Sequence, residues 1–171
     1  MLCSYIKATR FRRWLARPDC PPAIQECRVL FDKVYAPKVP EDLYTLIRRR
    51  KAVLRASLKF DGIIYSRAST HLGNSQILFY PDGDRSLTPV PASIIYIYGT
   101  TTGEMSFAVQ RHLPLDIHND PFSMYPDFPA KLYSTNLQSS LEKVKVSWVV
   151  GHFARWAVSD SHAVILSLSR D

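Results

Sequence analysis

The chain has 171 residues, of which 46% are apolar, with 22 basic against 15 acidic side chains and a formal net charge of +7. That length fits one domain, or one domain with an appendage, and suffices for a real core; the apolar fraction excludes wholesale disorder. Cys3, Cys20 and Cys27 all fall in the first 27 residues, an odd and clustered set that makes reduced thiols the expectation rather than a disulfide framework.

No apolar run reaches 18 residues, so no membrane-spanning helix is expected. The start, MLCSYIKATRFRRWLAR, lacks the apolar block of a secretory signal. It is Arg-rich and acid-free up to Asp19, a composition shared with mitochondrial presequences. Charge is unevenly spread. Residues 1–59 carry 14 basic and 5 acidic side chains, a net of +9; residues 60–171 carry 8 and 10, a net of −2. A basic segment on a near-neutral body points to a polyanion or a neighbouring acidic surface as partner.

In chain order, the front third reads helical. Phe11, Trp14 and Leu15 share one helical face, and Arg10, Arg13 and Arg17 form a second stripe, up to the stop at Pro18. Asp19 and the prolines at 21 and 22 open a second helix with Ile24, Cys27, Leu30, Phe31 and Val34 in helical register. A third helix is expected from Glu41 to about Arg55. Its acids stand at the positive end of the dipole and Arg48, Arg49, Arg50, Lys51 and Arg55 towards the negative end.

From Ser57 the period changes. SLKF, GIIYS and QILFY read as strands, parted by turns at Asp61-Gly62, Gly73-Asn74 and Pro81 to Asp84. ASIIYIYGTTTGEMSFAVQR reads as a β-hairpin, with Ile94, Tyr96 and Tyr98 on one face and Ile95 and Ile97 on the other. A loop of about 30 residues follows, holding Pro114, Pro121, Pro126 and Pro129 (long for a compact domain), and its aromatics Phe122, Tyr125, Phe128 and Tyr133 imply that it packs on the body. VKVSWVV, running on through HFARW, and AVILSLS then resume as strands about a turn at Ser159 to Ser161. The expected fold is α+β and mainly β: a basic helical segment over residues 1–56, then a module over 57–171 of seven short strands forming a small antiparallel barrel or sandwich.

Two surfaces qualify as binding sites. The basic stripes interleaved with Phe11 and Trp14 can meet phosphates and stack on bases. Their candidate residues are Lys7, Arg10, Arg12, Arg13, Arg17, Arg48, Arg49, Arg50, Lys51 and Arg55; the bland reading is a set of solvated helix faces. Tyr96 and Tyr98, with Trp148 and Trp156, could line a peptide groove, though such residues are more often core. Catalysis is poorly supported. Ser69, Thr70 and His71 are adjacent, which is not a triad. Asp82/Asp84 and Asp116/Asp120 sit among turn residues, and no G-x-S-x-G, P-loop or G-x-G-x-x-G occurs. His112, His118 and Asp120 match no zinc spacing, and His152 and His162 flank a turn and could approach one another. No cofactor, no metal and no enzyme activity is therefore expected.

The blocks FDGIIYSRASTHLGNSQILFY, SIIYIY, FAVQRHLPL, DPFSMYPDFPAKLYS, VSWVVGHFARW and HAVILSLSRD, within Leu58 to Arg170, resemble the C-terminal region of large proteins encoded by CACTA (En/Spm)-like transposons of mushroom-forming fungi. The upstream ATRFRRWLARPDCPPAIQECRVLFDKVY is similar to the stretch that precedes that region. In that family the region follows a catalytic transposase core and is similar in character to small β-barrel interaction modules, including the bromo-adjacent-homology type. The resemblance implies a nuclear, DNA-associated, noncatalytic module and carries over no catalytic residue. Two alternatives stand beside it: a protein- or peptide-binding barrel with no direct DNA contact, and a truncated transposon remnant with no selected function.

Overall fold

The computed structural model of the protein describes residues 10, 11, 13–15, 17, 19–21, 24, 27, 39–99, 103–115, 120–125 and 127–168. Residues 10, 11, 13–15, 24 and 27 have helical backbone, Arg17 lies in a bend and Pro21 outside any helix; the other positions of the two helices expected there lie outside the described residues. Among the described residues Cys20 is buried and Cys27 exposed, and no helix is long and apolar enough to cross a membrane.

Helix α1 spans Glu41–Ile47, shorter than expected. Pro40, held at φ −55°, precedes it and accepts the Tyr44 amide through its carbonyl at 2.8 Å. Arg48 ends it in the left-handed region, at φ 51°, with its amide closing on Tyr44 O at 2.7 Å. The chain then doubles back. The Val39 amide reaches Arg50 O at 3.2 Å, and residues expected to continue the helix form strand β1, Val53–Arg55. Leu54, which matches the helical stripe of Leu43, Leu46 and Ile47, lies instead opposite Tyr98 in a ladder. A helix through Lys51 would have set the like charges of Arg48 and Lys51 beside each other, whereas here Ala52 is buried and Leu54 of β1 packs against the barrel.

Nine further strands follow: β2 (Ser57–Phe60), β3 (Ile63–Ser66), β4 (Gln76–Phe79), β5 (Val90–Gly99), β6 (Met105–Pro114), β7 (Ala130–Leu137), β8 (Glu142–Lys145), β9 (Val149–Ala157) and β10 (His162–Ser167). Six of them close an antiparallel barrel in the order β5-β4-β9-β10-β7-β6 and back to β5. Closure removes the sheet edges that would otherwise invite aggregation. β1 continues the β4 side of β5, and β8 pairs with β6 beside β7. β2 and β3 form a separate hairpin whose Asp61-Gly62 turn has positive φ at both residues, 50° and 78°, the mirror-image turn that suits strand twist.

The β5–β6 hairpin forms as expected, but its faces do not. A bulge at Ile95 shifts the register between the pairs Ile94↔Val109 and Tyr96↔Ala108. Ile94 and Ile97 therefore both enter the barrel core with Ile77, Phe79, Phe107, Val109 and Val144. Tyr96 and Tyr98 turn outward onto a second cluster, where Leu43 and Val39 pack over Ala108. Strict alternation cannot survive one inserted residue.

The expected 30-residue loop is also corrected. Strand β7 lies within it and pairs with β10 over five positions. Its sequence, AKLYSTNL, is polar because most of its length is only half-buried. VKVSWVV is not one strand: a single 3-10 turn at Val146–Trp148 divides β8 from β9, which serve different neighbours.

Candidate functional site

Of the basic residues singled out, Lys7 and Arg12 lie outside the described residues. Arg10, Arg13 and Arg17 are exposed. Arg48, Arg49, Arg50 and Lys51 are exposed too, and they occupy a turn rather than a helix face. Two constraints hold that turn: the left-handed Arg48 and the Val39–Arg50 hydrogen bond. Four consecutive cations thus project from a fixed backbone. Arg55 is half-buried in β1, and its Nε meets no hydrogen-bond partner.

The four aromatics expected to share a ligand face do not come together. Tyr98 is 3% exposed, beneath α1, where burial pushes its phenol up to about 12 against the weaker pull of Ser106. Tyr96 donates its hydroxyl to the Asp42 carboxylate at 3.0 Å and so ties α1 to the barrel. Trp148 packs over Gly83 and takes the Lys145 ammonium on its ring at 5.6 Å. Only Trp156 is open, at 74% exposure on β9. It lies opposite Val164, which in turn lies opposite Leu132, so the three share a face as cross-strand neighbours.

The histidines are likewise dispersed. His118 lies outside the described residues. His112 is buried in the barrel, with Nε2 3.3 Å from Gln76 Oε1 and its ring edge-on to Phe153. Burial lowers its pKa to about 4, helped by the Arg155 charge and opposed by the Ser134 carbonyl. His152 and His162 stand at opposite ends of the β9–β10 ladder. His152 packs on Tyr65 and contacts Asn74 O at 3.3 Å; His162 Nδ1 takes Ser161 Oγ at 2.7 Å and Ser159 Oγ at 3.0 Å, locking an exposed turn. His71 Nδ1 accepts the Asn74 amide and forms no triad with Ser69 and Thr70. Asp84 accepts from Ser86, which lowers its pKa, and Asp116 lies outside the described residues. Among the described residues no three His, Cys, Asp or Glu side chains converge as a metal site would require.

A cavity of about 450 Å³ opens where β6 ends at Pro114 and β7 begins. The segment after Asp120 builds one wall through successive turns. The Tyr125 amide bonds Phe122 O at 2.9 Å and the Phe128 amide bonds Tyr125 O at 3.0 Å. Phe122, Tyr125 and Phe128, spaced i, i+3, i+6, therefore all line the cavity, with Phe122 and Phe128 stacked 5.8 Å apart. Tyr133 and Leu132 of β7 line the other wall. Asp120 also lines it, its Oδ1 accepting the Phe122 amide at 2.9 Å and its Oδ2 the Leu132 amide at 3.3 Å. Burial and the Asp120 charge raise the Tyr133 phenol pKa. The three-residue spacing in DPFSMYPDFP was the signal for this wall; the aromatics read from sequence only as packing against the body. Comparison of the chain with protein-family models, with characterised proteins and with solved structures finds no match.

Proposed function

We propose that the chain is a noncatalytic interaction module of a transposon-derived protein, acting in the nucleus and meeting DNA through its basic surfaces. The reading takes the barrel as an interaction domain of the bromo-adjacent-homology kind, preceded by short basic helices. The observation that carries it is the turn Arg48–Lys51, where four exposed cations are presented on a constrained backbone. Such a turn suits phosphates, since it concentrates four positive charges in four consecutive exposed residues. Arg10, Arg13 and Arg17 add exposed positive charge. The test is anisotropy of labelled duplex DNA with the full chain across a salt series, repeated after reversing the charge of Arg48, Arg49, Arg50 and Lys51 together. Affinity that survives the reversal unchanged sinks the assignment.

A second reading, a protein- or peptide-binding barrel without direct DNA contact, is favoured by the open aromatic cavity beside β7. Pull-downs insensitive to nuclease and to salt would support it over the first.

A further inference from the structure

We infer that the β2–β3 hairpin is a shallow anchor for the surface of an anionic phospholipid bilayer, its apolar tip entering the acyl boundary and the cations around its base meeting headgroup phosphates. This use of the hairpin needs neither DNA nor a peptide partner.

The hairpin is built as a finger. β2 and β3 form a two-stranded sheet of their own, closed at the base where the Arg67 amide bonds Ala56 O at 3.1 Å. Tyr65 is buried in the barrel core, and Leu58 opposite it packs there too, so the root is fixed. Beyond them the apolar sequence continues into solvent. Phe60 and Ile63, opposite one another, are 45% and 38% exposed; Ile64, opposite Lys59, is 50% exposed. Side chains alternate along a strand. Phe60 and Ile63 therefore lie on the face of Leu58 and Tyr65, and Ile64 and Lys59 on the other.

Apolar surface on both faces selects the medium. A folded partner, or a second copy, covers one face of a ribbon and leaves the other wet. A kinked base step takes single apolar wedges and has no room for a two-stranded ribbon. The boundary of a bilayer surrounds the tip on every side, and apolar surface of this kind marks such contacts.

The charges agree with that placement. Each strand of the finger has four residues, a reach of about 13 Å. Interfacial elements sink about 5–10 Å, which leaves the base of the finger among the headgroups. Arg55, the last residue of β1, and Arg67, the first after β3, flank that base. Lys59 stands between base and tip and can extend its ammonium back to the phosphates. The exposed Arg48, Arg49, Arg50 and Lys51, just before β1, add longer-range attraction to anionic lipid. The charge at the tip itself is Asp61, in the turn. A carboxylate is costly to bury, so it holds the insertion shallow.

The experiment is co-sedimentation of the full chain with two kinds of vesicle, phosphatidylcholine alone and phosphatidylcholine mixed with phosphatidylserine. The mixed vesicles are expected to bind at least about tenfold more tightly. Ile64→Ser should cost about tenfold on them, the worth of burying one large aliphatic side chain. Ile64 belongs to neither core cluster, so the variant keeps the fold. Ile64→Trp should bind at least as tightly as the parent chain, because an indole favours the interface. Asp61→Asn, which suits φ 50° equally well, should bind severalfold more tightly. Equal binding of Ile64→Ser and the parent chain overturns the finger and leaves adsorption by charge alone. Binding to neither vesicle overturns the membrane assignment outright. A dimer in lipid-free sedimentation velocity that Ile64→Ser dissociates overturns it in favour of a second copy. Loss of duplex DNA affinity in Ile64→Ser overturns it in favour of nucleic acid; unchanged DNA affinity is expected.

Discussion

The indole of Trp148 lies against the α-carbon of Gly83, so closely that a Cβ there would stand 2.4 Å from Nε1. Gly83 also has φ 77°, a conformation side chains seldom adopt. The Tyr80 amide meanwhile bonds Trp148 O at 2.9 Å, so the turn after β4 and the 3-10 turn before β9 hold each other. Gly83→Ala is expected to destabilise the fold by about 2–4 kcal/mol, combining a left-handed backbone with a clash against a packed ring. Gly62, at φ 78° but with open space where a Cβ would stand, should lose only about 1 kcal/mol on the same change. Urea denaturation of both variants checks the pair; equal losses would refute the role of Trp148.

His112 makes stability depend on pH. Its folded-state pKa is about 4, against about 6.5 in an unfolded chain. Between those values the unfolded chain binds more protons, so stability is full above about pH 6.5 and falls as pH drops towards 4. His152, lowered chiefly by burial, contributes with the same sign. Below the folded-state value no further loss is expected from His112. His112→Gln should flatten the decline between pH 6.5 and 4, measured by melting temperature across that range. An unaltered slope would place the acid sensitivity elsewhere.

The parts of this fold that were legible in the sequence are those set by local chemistry. Asp61-Gly62 specifies a mirror-image turn, and the apolar runs of β3, β4 and β10 read as strands because branched and aromatic residues fill them. What escaped was set by distant partners. Nothing near Ile95 announces the bulge, which is fixed by Val109 and Ala108 across the ladder. Leu54 fits a helix and a strand equally well, and Tyr98 decides between them. β7 looks like loop because Ser134, Thr135 and Asn136 are polar, and it becomes a strand by pairing with His162 through Leu166. The cavity was half legible: its i, i+3, i+6 rings were in view, but their opposite wall belongs to β7.

Tyr96 is a strut and not a ligand contact. Its hydroxyl reaches both oxygens of Asp42, at 3.1 and 3.0 Å, from the outer face of β5 to the first turn of α1. Tyr96→Phe should cost about 1 kcal/mol: a hydrogen bond to a charged group contributes about 1.5–3 kcal/mol, and exposure to solvent reduces that here. Hydrogen exchange should then show the amides of α1 opening before those of the barrel. Loss of DNA or peptide binding with unchanged stability would instead return Tyr96 to a binding role.

The basic turn makes a quantitative claim about salt. If Arg48, Arg49, Arg50 and Lys51 each meet a phosphate, neutralising all four to Gln should reduce the slope of log affinity against log salt by about 3–4. The same change should cost no more than four surface substitutions together, about 2 kcal/mol at most, since all four side chains are exposed. Neutralising Arg10, Arg13 and Arg17 in a second variant separates the two basic surfaces. Slope changes that add would show both on the DNA together, and a change confined to one variant would assign the contact to that surface. A weakened affinity with an unchanged slope has a different cause: it means that the turn was altered in shape and that its charges never met phosphate.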